Sequence, residues 1–119
     1  MKKIILIIIT LLTVLFSCKK EKFPDMNELK GSWIEQTNNS FKHTLIFEDA
    51  VLFFVKPSKT DTLIYNLNKE NEVLSLKLVN SPSGITTEHK ILINKRKKEL
   101  TIWGLFVGIN TSETTFKKE

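Results

Sequence analysis

From Gly31 onward the chain is written in period two. Apolar residues occupy every second position in short runs, and turn-forming residues interrupt the runs at close to ten-residue spacing. Successive side chains of a strand point to opposite faces, so each run has one dry and one wet face, whereas a helix would need apolar residues three and four apart. No helical period of comparable length occurs. The pattern predicts strands over 32–37, 41–48, 51–56, 62–67, 73–79, 87–93, 100–106 and 113–117. The turns fall at Glu48-Asp49-Ala50, Asn68-Lys69-Glu70-Asn71, Asn80-Ser81-Pro82-Ser83-Gly84 and Asn94 through Lys98, in residues that favour tight reversals. Connections this short join antiparallel neighbours. Eight such strands form an up-and-down meander, which removes its exposed edges by closing into a barrel. The expected class is all-β.

Composition agrees with that reading. Ala50 is the only alanine among 119 residues, while β-branched and aromatic residues are plentiful, a balance that favours pleated strands. The chain is long enough for one domain. The short stretch Asp25-Met26-Asn27-Glu28-Leu29-Lys30 carries a capping-box signature, Asp25 with Glu28 three residues on, and is expected to make one helical turn that plugs a barrel end.

Parity assigns the faces. Leu45 and Phe47, Leu63, Tyr65 and Leu67, Leu74, Leu76 and Leu78, Ile91 and Ile93, and Leu100 and Ile102 share one face of their strands. Trp33, His43 and His89 fall on the same side, so Trp33, His43, Tyr65 and His89 are the candidate ligand-binding residues. Glu35 has the parity of Trp33 and joins the histidines in a possible His-His-Glu set; the alternative is a pair of rim histidines bonded locally. Two histidines alone make a poor zinc site, and no metal or other cofactor is expected. Val51-Leu52-Phe53-Phe54-Val55 and Trp103-Gly104-Leu105-Phe106-Val107 are apolar at every position or nearly so, which predicts an outward apolar patch around Phe54, Trp103 and Leu105. An eight-stranded barrel is just wide enough to be filled by side chains or to hold one small ligand, and both readings stand.

The first thirty residues have a different character. Met1-Lys2-Lys3 precedes an apolar run from Ile4 to Phe16 interrupted only by Thr10 and Thr13. Thirteen helical residues span about 20 Å, short of a hydrocarbon core of roughly 30 Å, so the run looks like a signal-peptide apolar region and not a permanent span. It ends in Leu15-Phe16-Ser17-Cys18, which resembles the bacterial lipobox: an aliphatic residue three before a cysteine, with a small residue directly before it. That resemblance implies a signal peptide over 1–17, cleavage before Cys18, a thioether lipid on its sulfur and acylation of the new amino terminus. Three acyl chains exceed the two signals that stable anchoring needs. Cys18 is the only cysteine, so no intrachain disulfide is possible. Residues 18–30 are expected to form the lipidated cysteine and a flexible tether, and 31–119 the barrel. Removal of 1–17 takes Lys2 and Lys3 with it and lowers the formal net charge from +5 to +3.

Leu29-Lys30-Gly31-Ser32-Trp33, opening the first strand, resembles the Gly-x-Trp start of lipocalin-like domains, in particular the short lipoprotein versions of Bacteroidetes-type bacteria. The opening Cys18-Lys19-Lys20-Glu21 is similar to lipoproteins of the same bacteria. The resemblance implies a small lipocalin-like barrel held at the cell membrane by its lipid anchor, with the outer membrane suggested and the inner membrane the alternative; a monomer is expected. It implies a small apolar or amphipathic ligand in the cell envelope; a filled barrel would instead serve as a protein-interaction or inhibitor module there. Asp61-Thr62-Leu63 resembles the O-glycosylation acceptor of those bacteria.

The remaining features carry less. Lys95-Arg96-Lys97-Lys98 gathers four cations at a predicted hairpin tip, either a solvated turn or a site for anionic headgroups or polysaccharide. Nucleic acid is no partner for an exported chain. The sequence has no nucleophile elbow, no glycine-rich phosphate loop and no clear pair of carboxylates, so no enzymatic activity is expected.

Overall fold

The computed structural model describes residues 21–38, 40–80, 84–106 and 112–119. Eight strands, β1 (Gly31–Glu35), β2 (Thr44–Phe47), β3 (Val51–Val55), β4 (Thr60–Asn68), β5 (Val73–Leu78), β6 (Thr86–Asn94), β7 (Glu99–Trp103) and β8 (Glu113–Lys118), follow one another in sequence order. Each pairs antiparallel with the next, and β8 pairs with β1, so the sheet is a closed barrel. The all-β meander expected from the alternation is therefore the observed fold. The signal peptide over 1–17 and Cys18 lie outside the described residues.

Alternation builds the core. Leu45, Leu52, Leu74, Ile91, Leu100, Ile102 and Phe116 point inward from six different strands and are completely buried. Cross-strand register stacks them: Leu63 faces Leu78, Tyr65 faces Leu76, Ile91 faces Ile102, and Leu100 faces both Ile93 and Phe116. Fully burying a side chain of this size contributes about 1.5–3 kcal/mol.

The barrel ends are unlike. At the end called here the floor, the connections are 48–50, 69–72 and 95–98, and each contains a non-glycine residue with positive φ: Ala50 at 60°, Glu72 at 55° and Lys98 at 55°. Asn68 and Asn94 shape two of these turns alike. The Asn68 carboxamide oxygen accepts from the backbone N–H of Glu70 and Asn71, and that of Asn94 accepts from Lys97. At the opposite end, the mouth, the strands are joined by the connections 36–43, 56–59, 79–85 and 104–112, of which all but 56–59 are longer than those of the floor.

Helix α1 (Met26–Leu29) closes the floor. Asp25 is its N-cap: its side chain accepts from the Glu28 N–H at 2.8 Å, and the Glu28 carboxylate accepts from the Asp25 N–H at 3.1 Å, the capping box anticipated from the residue pattern. Leu29 is completely buried, and its carbonyl accepts a 2.8 Å hydrogen bond from the Trp33 indole N–H.

Residues 22–30, expected to be part of a flexible tether, are instead a strap across the floor. Lys22 forms an antiparallel bridge to Ile93, its N–H donating at 3.0 Å and its carbonyl accepting at 2.7 Å. Pro24 and Leu29 are buried and Phe23 packs on the core. At the far end of the strap Lys30 reaches Asp49 at 2.6 Å. Three apolar residues spaced among the charges are enough to pull the segment down. The strand limits differ mainly at the mouth, where β2 begins at Thr44 and β7 ends at Trp103, because Phe41 and Phe106 leave the ladder to join an aromatic cluster.

Candidate functional site

The mouth collects the least ordinary chemistry among the described residues. β1 delivers Glu35 at its last position, buried, and the 36–43 connection brings His43 back beside it. Three contacts join the two: the Glu35 N–H donates to the His43 carbonyl at 2.9 Å, the His43 N–H donates to Glu35 Oε1 at 3.0 Å, and His43 Nδ1 lies 2.7 Å from the same oxygen. A carboxylate only accepts, so Nδ1 carries a proton and Nε2 is left for another partner. Nε2 has no hydrogen-bond partner among the described residues.

Aromatic rings enclose the imidazole. Phe41 and Phe54 meet it edge-on, with centroids 5.6 and 5.5 Å away, and Phe106 lies at 4.9 Å. Phe54 and Phe106 also pack against each other at 5.8 Å. Lys56 lies 5.2 Å above the Phe54 ring while its ammonium pairs with Asp61 at 2.6 Å. That lysine, with a smaller contribution from Lys59, holds the Asp61 carboxyl below its ordinary range against the opposing effect of burial. Beside the cluster is a cavity of about 180 Å³ lined by Glu35, Phe106, Ser112, Glu113 and Thr114.

His89 stands at the same end on β6 but is engaged separately. Its Nδ1 lies 2.9 Å from the Trp103 carbonyl, an acceptor, so Nδ1 donates; in the neutral ring Nε2 then accepts from the Thr87 hydroxyl at 2.8 Å. The three-residue set of Glu35, His43 and His89 is thus brought together only as the Glu35–His43 pair. No group of three or more His, Cys, Asp or Glu residues able to hold a metal is found among the described residues.

The other predicted ligand residues lie elsewhere. Trp33 is buried at the floor under Lys118, whose ammonium is 5.2 Å from the ring. Tyr65 packs edge-on against Phe47 at 5.1 Å and donates its hydroxyl to the carbonyl of Glu48, in the β2–β3 turn. Burial first, then the negative charge of Asp49, raises its phenol above the ordinary value. Trp33 and Tyr65 are therefore core residues engaged with floor elements, and neither shares a hydrogen bond or ring contact with His43 or His89 among the described residues.

The expected outward patch is corrected in one member. Phe54 pairs with Leu45 and Asp61 and points into the barrel; Phe53 takes the outward position, because parity runs through Leu52 and Phe54. Trp103 does face outward, half-buried with the Lys90 ammonium 4.7 Å above its ring, and Leu105 packs partly against the core. Four of the exposed large apolar side chains gather at the mouth, Phe41, Leu78, Val79 and Ile85, the last 66% accessible; Ile64 is exposed on the β4 wall and Met26 on the floor helix. Parity hid Leu78, an inward position at the very end of its strand.

A second cleft, about 410 Å³, lies at the floor. Trp33 and Ile93 form its apolar base, and Lys95, Lys98 and Lys118 surround it. Two acids also line it, Glu119 and Glu28, and the Glu28 carboxylate receives Lys22 at 3.0 Å and Lys95 at 3.1 Å. Burial works to raise the Glu28 carboxyl, but Lys22, the Asp25 N–H and Lys95 together outweigh it and bring it down to about 2.

Comparison of the chain with protein-family models, with characterised proteins and with solved structures gives no match. Among the described residues no helix is long and apolar enough to cross a membrane.

Proposed function

We propose that this chain is a cell-envelope lipoprotein, anchored through acylated Cys18 to the outer membrane, whose lipocalin-like barrel is filled and acts as a protein-interaction module without enzymatic activity. The observation that carries the reading is the state of the interior. A void able to admit a water-sized probe would leave accessible surface on the residues around it, yet Leu45, Leu52, Leu74, Ile91, Leu100, Ile102 and Phe116 have none. The mouth cavity of about 180 Å³ is smaller than the roughly 300–1,000 Å³ of ordinary ligand pockets, and the cleft of about 410 Å³ at the floor is bordered by Glu28, Lys95, Lys98, Lys118 and Glu119, charged side chains that do not suit an apolar ligand.

What the barrel offers a partner is its mouth. Phe41, Leu78, Val79 and Ile85 expose apolar surface around that end, and the Glu35–His43 pair supplies a polar contact among them. Apolar side chains near an oriented hydrogen-bonding group match the composition of protein interfaces, where a few buried anchors carry most of the affinity. A second reading keeps a small amphipathic ligand, and the cavity beside Phe106 favours it.

Site-specific photo-crosslinking in cells separates the two. A photoreactive residue at Ile85 is expected to give a discrete protein adduct, while one at Thr101 on the outer wall gives none; equal adducts at both positions would sink the assignment of the mouth. A co-purifying lipid or fatty acid seen by native mass spectrometry would favour the small-ligand reading. Anchoring has its own check: palmitate labelling should vanish in Cys18→Ala.

A further inference from the structure

The strap fixes where the leading segment approaches the barrel. Lys22 is bonded to Ile93 at the floor end of β6, and Cys18 is four residues before it, so the two α-carbons lie within about 14 Å even in a fully extended chain. The floor is not uniform in charge on that side. The β6–β7 turn next to the strap carries Lys95, Arg96, Lys97 and Lys98, and Lys117 and Lys118 end β8 beside it, six cations against Glu99 and Glu119, whereas the other two floor turns carry Glu48 and Asp49, and Lys69, Glu70 and Glu72, a net negative balance. Lys98 and Lys118 border the 410 Å³ cleft and make no ion pair among the described residues. Glu28, the half-buried acid at this place, is already paired with Lys22 and Lys95.

We propose that this basic half of the floor is a docking face for anionic phospholipid headgroups, with the cleft of Lys95, Lys98 and Lys118 over Trp33 receiving a headgroup phosphate. The inference rests on the anchoring reading, which supplies the bilayer. Two arguments select that occupant. The tether is too short to let the floor move far from the acylated residue, and the cations are concentrated on the strap side while the acidic turns lie on the other. A juxtamembrane cluster of this kind feels the surface potential of an anionic leaflet within a Debye length, and each lysine or arginine that reaches it improves partitioning about fivefold. The barrel then stands on the membrane with its mouth directed away, where a protein partner can reach Ile85 and His43.

The test uses the full mature protein, purified with its lipid and reconstituted into vesicles of phosphatidylcholine alone or with roughly a third phosphatidylglycerol. Amine labelling read by mass spectrometry should slow several-fold at Lys95, Lys98 and Lys118 on the anionic vesicles and stay unchanged at Lys56, Lys59 and Lys77. About 0.5 M salt should erase the difference. Arg96→Glu with Lys98→Glu, both at an exposed turn, should restore labelling of Lys95 on anionic vesicles. Equal labelling on the two vesicle types overturns the proposal, as does equal protection when inorganic phosphate is added to phosphatidylcholine vesicles, since the site would then be one for a soluble anion. Cys18→Ala separates the two readings. Flotation of that variant equal to wild type on phosphatidylcholine removes the anchor, while salt-sensitive lysine protection of the same variant on anionic vesicles still supports the basic face.

Discussion

The two ends of this barrel solve opposite problems. The floor has short hairpins, a buried tryptophan bonded to a helical turn and an acid held between two lysines, so its elements are tied to one another. The mouth has longer connections, exposed apolar side chains and an imidazole nitrogen left without a partner among the described residues. Local stability in proteins is uneven in this way, and surfaces that bind are drawn from the less constrained end. The contrast teaches that closing a sheet into a barrel removes its edges and leaves two rims, which the same chain can furnish differently: here one is tied down by side-chain bonds and the other exposes apolar side chains.

The largest expected effect tests that division directly. Trp33→Ala should cost about 3–5 kcal/mol, because it opens a void under Leu29 and leaves a buried carbonyl without its donor. Phe41→Ala at the mouth should cost well under half as much, since that ring is partly exposed. Denaturant unfolding of both variants checks the pair, and equal losses would erase the distinction between the ends.

Acid should weaken the floor selectively. The Glu28 carboxyl lies lower in the folded chain, at about 2, than its ordinary value of 4.5. The stability it contributes is therefore complete above the unfolded value and is lost as pH falls from about 5 toward 2, on the order of 2 kcal/mol after allowance for partial access of solvent. Thermal melts across that range should flatten in Glu28→Gln; an unchanged slope would place the acid sensitivity elsewhere.

At the mouth, Glu35→Ala removes the acceptor for both the His43 N–H and its ring, at an expected cost of about 1–2 kcal/mol. The smaller consequence for stability should come with a larger one for binding: the crosslink from Ile85 should weaken, because the 36–43 connection loses its internal tie. The smallest effect is a gain. Ala50→Gly relieves a left-handed backbone at φ 60° and should stabilise the floor by up to about 1 kcal/mol, a rise in melting temperature of a few degrees.

Much of this architecture was legible from residues alone, for definite reasons. Strand number, inward parity and the capping box depend on neighbours two to four positions apart, which a sequence displays directly. The Glu35–His43 pair was half legible: parity put both on one side, but only the return of the 36–43 connection made them partners. Phe54 was not legible in the same way. In Val51-Leu52-Phe53-Phe54-Val55 every position is apolar, so alternation cannot say which face is inside, and the register with Leu45 and Asp61 decided it.

By itself, then, the sequence determined an eight-stranded all-β chain, because periodicity and turn chemistry are local. Tertiary structure decided what local information does not contain: that residues 22–30 strap the floor, that His43 pairs with Glu35 while His89 bonds to Thr87 and the Trp103 carbonyl, and that Lys95, Lys98 and Lys118 gather around one cleft. Closure itself pairs β8 with β1, residues some eighty positions apart, such as Glu35 and Phe116. Closure gives a linear pattern an inside and two ends.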